Sequence, residues 1–197
     1  MALPAQTERP PSCGYKARTT PGARSFAEDR IMRVLVTVAS KHGSTTQIAA
    51  AIGAALIDAG VPADVLPVDE VTAVAPYDAV ILGSGVYMGR WLEPARRFAD
   101  RYEADLSARP VWLFSSGPIG DPPKPAGDPA DIADLVEATH ARGHRVFAGS
   151  LDKHELGIGE RAISAAVRAP EGDFRPWDDI EAWANEIAGE LKAADPV

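Results

Sequence analysis

Ser40, Ser44, Thr45 and Thr46 crowd around one glycine, Gly43, with His42 beside it, in the stretch Ser40-Lys-His-Gly-Ser-Thr-Thr46. Hydroxyls donate hydrogen bonds without adding charge. A loop of them that opens a helix suits a phosphate, because first-turn N–H groups lack partners and the helix dipole leaves them partly positive. An ordinary helix start capped by Ser44 or Thr45 accounts for the same residues. A second loop, Ser84-Gly-Val-Tyr-Met-Gly-Arg-Trp91, sets two aromatics among glycines. Tyr87 and Trp91 are suited to stack on a flat ring, and Gly85 and Gly89 let the backbone around Val86 and Met88 approach it closely. Packing of both aromatics on the sheet edge or under the next helix is the competing reading. A third loop runs Ser115-Ser-Gly-Pro-Ile-Gly-Asp121. Ser115, Ser116, Gly117 and Gly120, interrupted by Pro118, offer donors to a ring edge, or form a plain Gly-Pro turn.

Bringing three such loops together takes a parallel sheet. Apolar runs predict strands over residues 33–39, 79–82, 111–115 and 145–151, the first nearly continuous, as a strand covered on both faces would be, and a short mixed run predicts an edge strand over 63–67. Helical spacing predicts helices over 45–59, 93–106 and 128–140, with Gly60 as a stop and Pro94 and Pro129 in first turns. Residues 152–176 are less regular, with one short helix expected around 160–168. A last helix is expected from Asp178. There Asp178 and Glu181 resemble a capping box, and Ile180, Trp183, Ala184, Ile187 and Leu191 form an apolar stripe. The alternation predicts an α/β fold, a doubly wound five-stranded parallel sheet with helices on both faces. Ligands bind such sheets outside the carboxyl ends of the strands, which is where all three loops leave. A phosphate cradle, stacking aromatics and edge donors converging there point to flavin mononucleotide (FMN), its 5′-phosphate in the first loop. Competing motifs fail. There is no Gly-x-x-x-x-Gly-Lys-Ser/Thr loop, and Gly83-x-Gly85-x-x-x-Gly89 has the wrong spacing for a dinucleotide fingerprint.

The chain has 197 residues, 46% hydrophobic and 24% charged, with a net charge of −8. This is an ordinary globular composition, and the acidity argues against nucleic acid as a partner. No apolar run approaches the roughly 18–20 residues of a transmembrane helix. One cysteine, Cys13, excludes a disulfide framework and fits a cytoplasmic setting. His140 and His144 have metal-pair spacing, but Gly143 intervenes and no third ligand is evident, so helix-end histidines facing solvent are expected instead. Arg161, Arg168 and Arg175, and the loop charges Asp121 and Lys124, read as solvated. Residues 1–31, rich in proline and glycine and without apolar period, read as a disordered leader to one domain over 32–197.

The loop Ser40-Lys-His-Gly-Ser-Thr45 resembles the phosphate loop of the flavodoxin-like family of FMN proteins. Within that family the chain is similar to the bacterial quinone-dependent protoporphyrinogen IX dehydrogenases. The similar segments are residues 43–49, 80–91, 148–151 and 177–188. The resemblance implies strand order 2-1-3-4-5 and bound FMN. It also implies electron transfer from a reduced small-molecule substrate to a quinone or a redox partner protein. Residues 152–176 depart from it, being shorter and less basic than the insertion of those dehydrogenases. No catalytic side chain is expected, since a flavin carries the chemistry. An electron shuttle docking a basic reductase, with the acid-rich segment 128–137 as its patch, is the alternative. A scaffold without cofactor is a third reading.

Overall fold

Val34–Ala39 is apolar at every position but Thr37 and buried throughout, because helices cover both faces of the strand it forms. In the computed structural model, which describes residues 32–117, 127–151 and 171–194, this strand is β1. It is followed by α1 (Ser44–Asp58), β2 (Ala63–Pro67), β3 (Ala79–Tyr87), β4 (Arg90–Trp91), α2 (Glu93–Arg101) and α3 (Glu103–Ser107). Then come β5 (Val111–Ser116), α4 (Ile132–Thr139), β6 (Gly143–Phe147), β7 (Ser150–Leu151), β8 (Gly172–Asp173) and α5 (Trp177–Ala194). The main sheet runs β2-β1-β3-β5-β6 with every pair parallel, and β4 folds back antiparallel on the end of β3. With that short strand set aside, this is the expected order 2-1-3-4-5. The expected leader, the loop residues Pro118, Gly120, Asp121 and Lys124, and the short helix expected around 160–168 lie outside the described residues.

Alternation along the strands sorts side chains into two cores. Val34, Val36, Val38, Ile81 and Phe114 meet α1 and α5 through Ile48, Ile52, Ile180, Trp183 and Ile187. Leu35, Val80, Leu82, Val111 and Leu113 meet α2, α3 and α4 through Ala95, Phe98, Leu106 and Leu135.

The strand expected over 79–82 runs on to Tyr87 and so takes in half of the second loop, and among the other boundaries that differ from the sequence pattern four have a visible cause. The helix expected over 93–106 breaks at Tyr102 (φ −110°), whose buried hydroxyl reaches the carbonyls of Val71 and Thr72. The helix expected from 128 begins at Ile132, because the preceding residues brace the β3–β4 hairpin described below. The strand expected to reach residue 151 ends at Phe147, and Ser150–Leu151 pairs with Gly172–Asp173 instead. The last helix begins at Trp177 rather than Asp178. The Ile180 N–H reaches the Pro176 carbonyl, so Asp178 lies in the first turn rather than at the cap.

Candidate functional site

Parallel pairing brings the carboxyl ends of β1, β3 and β5 together, with Ala39 opposite Ser84 and Ser84 opposite Ser115. The first loop leaves β1 at Ser40 and enters α1 through Gly43, which adopts φ 78°, ψ −20°. That left-handed conformation favours glycine. No side chain caps α1, so neither Ser44 nor Thr45 plays the capping part, and its first turn carries no acid. The Ser40 hydroxyl is buried and has no hydrogen-bond partner among the described residues. Ser44 Oγ accepts the Ser150 N–H at 3.1 Å and keeps its own proton to donate. Thr45 is buried, His42 half-buried and Thr46 exposed.

The segments at this end close into a ring. A Cβ placed on Gly85 would stand 3.3 Å from Thr45 Oγ1, so the first two loops touch. One on Gly117 would stand 3.0 Å from the Val86 Cβ, joining the second loop to the third. One on Gly149 would stand 3.5 Å from Ser116 Oγ, and Ser150 then returns to Ser44. The segment around Gly149 and Ser150 is a fourth wall that the loop chemistry alone did not indicate. Its one signal was the similarity of residues 148–151 to family members. Behind it, the Arg175 side chain is held by partners, with 8% of it exposed, rather than solvated. It donates to Gln47 Oε1 on α1 and to Asp173 at 2.7 and 2.6 Å, and these bonds hold the Asp173 carboxyl below the usual carboxylate range.

The second loop is a hairpin. Tyr87 pairs with Arg90 across a turn in which Met88 and Gly89 take φ of 52° and 76°, as a two-residue type I′ turn requires. Tyr87 is 42% and Met88 84% exposed, and the Lys41 ammonium stands 4.8 Å from the centre of the Tyr87 ring. The hairpin is braced from below. The Ala130 N–H reaches the Gly89 carbonyl at 2.9 Å, and the Leu92 N–H reaches Ser84 Oγ at 3.0 Å. The Trp91 N–H is shared between both oxygens of Asp131 at 3.2 Å. Arg96 and Arg90 flank that buried carboxylate at 3.7 and 3.9 Å.

Three expected contacts are corrected. Trp91 does not line the opening: it is 2% exposed, and its indole N–H donates to Ser115 Oγ at 2.7 Å. Ser115 and Ser84 are fully buried, and Ser84 also donates to the Gly85 carbonyl. The reason is strand alternation, which turns both serines to the face of Leu82 and Leu113. Ser116, one residue on, turns the other way, toward Gly149. Asp131 is also removed from the acidic patch expected over 128–137, because it is buried under the hairpin.

The family model described as a flavodoxin domain matches residues 35–175. No curated protein sequence matches significantly. Among solved structures, an archaeal flavodoxin is 17% identical with a TM-score of 0.57, covering 82% of this chain and 99% of its own. The Flv1 flavodiiron core from Synechocystis is 17% identical with a TM-score of 0.60, covering 85% of this chain and 38% of its own. The rubredoxin oxygen:oxidoreductase of Desulfovibrio gigas is 13% identical with a TM-score of 0.58, covering 82% of this chain and 36% of its own. At such identities the likeness is one of fold. No described helix is long and apolar enough to cross a membrane.

Proposed function

The chain belongs to the flavodoxin domain family, and from that premise we propose that the ring of loops binds FMN and that electrons pass through it from a reduced small-molecule substrate to a quinone or similar acceptor. The observation that carries the cofactor is Ser40, a buried hydroxyl without a partner among the described residues, beside a helix start that no side chain caps. A buried polar group left unpaired costs about 1–3 kcal/mol, so a donor of this kind fits an anion that accepts from it. The donor set is neutral hydroxyls and backbone N–H groups with no acid in the first turn, which suits a phosphate monoester.

In this reading Ser40, Gly43, Ser44, Thr45 and Thr46 hold the phosphate, with His42 at its rim. Gly85, Val86, Tyr87, Met88 and Gly89 face the ring, and Ser116 and Gly117, continuing into Pro118 and Gly120, meet its edge. Bound FMN supplies hydride and single-electron transfer. The chain's own residues bind and orient it. Tyr87 and Met88, exposed next to Lys41 and Arg90, give the opening an apolar and basic rim suited to a small molecule. The similarity of segments 80–91 and 177–188 to quinone-dependent dehydrogenases supports the same direction. An electron-shuttle reading draws on acids that remain exposed, Asp134 and Glu137 on α4 and Asp178, Asp179 and Glu181 on α5.

Incubation with FMN followed by desalting tests the cofactor; a retained flavin absorbance is expected, and a colourless protein refutes the assignment. Anaerobic mixing separates the two roles. Reduced holoprotein is expected to be reoxidised by a soluble quinone at a rate insensitive to salt. A shuttle would instead need a protein partner, with rates that fall as salt rises.

A further inference from the structure

We propose that His144, far from the ring of loops in sequence role, is the positioning residue of the β3–β4 hairpin and acts on it through Ser115 and Trp91. The part of this that concerns flavin rests on the FMN reading above. His144 lies on β6, with its side chain nearly buried. Its Nε2 is 2.8 Å from Ser115 Oγ, and its Nδ1 is 3.3 Å from an Asp128 carboxylate oxygen. Ser115 Oγ also accepts the Trp91 indole N–H at 2.7 Å. A line of four side chains thus runs from the segment before α4, through two strands, to the base of the hairpin.

The protons on this line can be assigned from its chemistry. The indole nitrogen only donates, so Ser115 accepts there and has one proton left to give. If His144 Nε2 carries a lone pair, Ser115 donates to it, and the Nδ1–H points at Asp128. Every donor then meets an acceptor. If Nε2 carries a proton, Ser115 must turn its own hydrogen away, and no further partner for it exists among the described residues. The neutral Nδ1–H tautomer is therefore the one that completes the line. Burial holds the imidazole below the usual histidine range, against the opposing pull of Asp128.

Asp128, His144 and Ser115 have the connectivity of a nucleophilic triad. Ser115 is fully buried with its oxygen already engaged by an indole, so the arrangement holds structure rather than attacking a substrate. Asp128 is the charged group that faces His144. Arg142 and Arg145, beside it in sequence, pair with Glu190 and Glu186 of α5, His140 is exposed at the end of α4, and Asp131, Arg90 and Arg96 gather at the Trp91 backbone.

The test uses the full chain, isotopically labelled, with and without FMN. In the wild type the Trp91 indole N–H resonance and the Tyr87, Met88 and Gly89 amides are expected to shift together in one step as pH falls below the ordinary histidine value of 6.5. In Ser115→Ala and in His144→Leu that step disappears. The hairpin amides move in both variants at neutral pH, and the FMN Kd rises roughly tenfold, the loss expected for one buried hydrogen bond. His144→Gln, which can still accept from Ser115, restores most of the affinity. Hairpin amides and Kd unchanged in Ser115→Ala and His144→Leu, with only the melting temperature lowered, would overturn the proposal. A wild type that takes up no FMN sinks the proposed function instead, and the amide shifts still decide the role of His144.

Discussion

Loop 40–46 and hairpin 85–92 stand side by side at one end of the sheet and are completed in opposite ways. The hairpin is finished by the protein. Ser84, Ser115, Asp131 and the Ala130 N–H each satisfy a group on it, and its turn holds two residues at positive φ. The first loop is less completed by the described residues. Its helix start has no side-chain cap, the buried Ser40 hydroxyl has no partner among the described residues, and Ser44 is met from outside by the Ser150 N–H. The pairing teaches a division of labour. On the proposed reading, a rigid wall would set where a flat ring can lie, and the phosphate would complete polar groups that the described residues leave unpaired. Preorganising one half lowers the ordering cost of binding for the whole.

The largest effect that would separate the two regions is expected from Ser44→Asp. A carboxylate in the first turn favours the helix dipole, so the apoprotein should melt slightly higher. The same charge opposes a phosphate at the site, where like charges about 4 Å apart cost roughly 4 kcal/mol at an effective dielectric near 20. FMN affinity measured by fluorescence titration should fall at least a hundredfold. A variant with undiminished affinity would place the phosphate elsewhere.

Asp131→Ala comes next and acts on the hairpin. It strands the buried Trp91 N–H and leaves Arg90 and Arg96 without their carboxylate, so a loss of about 2 kcal/mol in chemical unfolding is expected. Gly43→Ala and Gly89→Ala form a matched pair. Both glycines have positive φ, and a Cβ on either meets nothing within 4 Å. The left-handed conformation costs an ordinary residue roughly 1–2 kcal/mol. The braced turn at Gly89 cannot relax, so its variant should lose that full amount in thermal melts. The open loop at Gly43 can shift, so its variant should lose less stability and more FMN affinity. Equal losses in both would erase the contrast between the regions.

The smallest effect concerns the fourth wall. Asp173 is held below its usual value by Arg175, so its contribution to stability is complete above pH 3.8 and is lost as pH falls below it. Asp173 is partly exposed, so Asp173→Asn should shift acid unfolding by no more than a few tenths of a kcal/mol.

The centre of the sheet was legible because β1, β3 and β5 are apolar runs that end in glycine or hydroxyl residues, whereas β2 and β6 are mixed edge strands, and the strand order followed from family resemblance. The uncapped start of α1 at Gly43 was open to reading for a related reason: the residues of that loop are contiguous. Trp91 was misread because an aromatic among glycines looks like a stacking group. Two-residue alternation carried one step past Leu82 and Leu113 would have turned Ser84 and Ser115, and with them the indole, to the buried face. Asp131 could not be read at all. It lies in an acid-rich stretch with the pattern of a solvated helix, and its burial is created by a hairpin forty residues earlier. Ser150 is hidden by the same kind of distance, since it meets Ser44 across 106 residues. Contacts of this kind have no local period.

The sheet order also fixes a sequence of events in time. β1 is near the N-terminal end of the described residues, yet it sits between β2 and β3. A chain made from its N-terminus exposes the apolar Val34–Ala39 first, and about fifty residues must follow before β3 is available to cover its second edge. At roughly 5–20 residues per second that is several seconds of synthesis. During that interval the nearby partners are α1, which brings Ile48, Ile52 and Leu56 to one face, and β2, which pairs with one edge. Assembly is therefore expected to begin with the β1–α1–β2 unit and to grow outward through β3, β5 and β6, with the cofactor site complete only when the last of its walls, around Gly149 and Ser150, has been made.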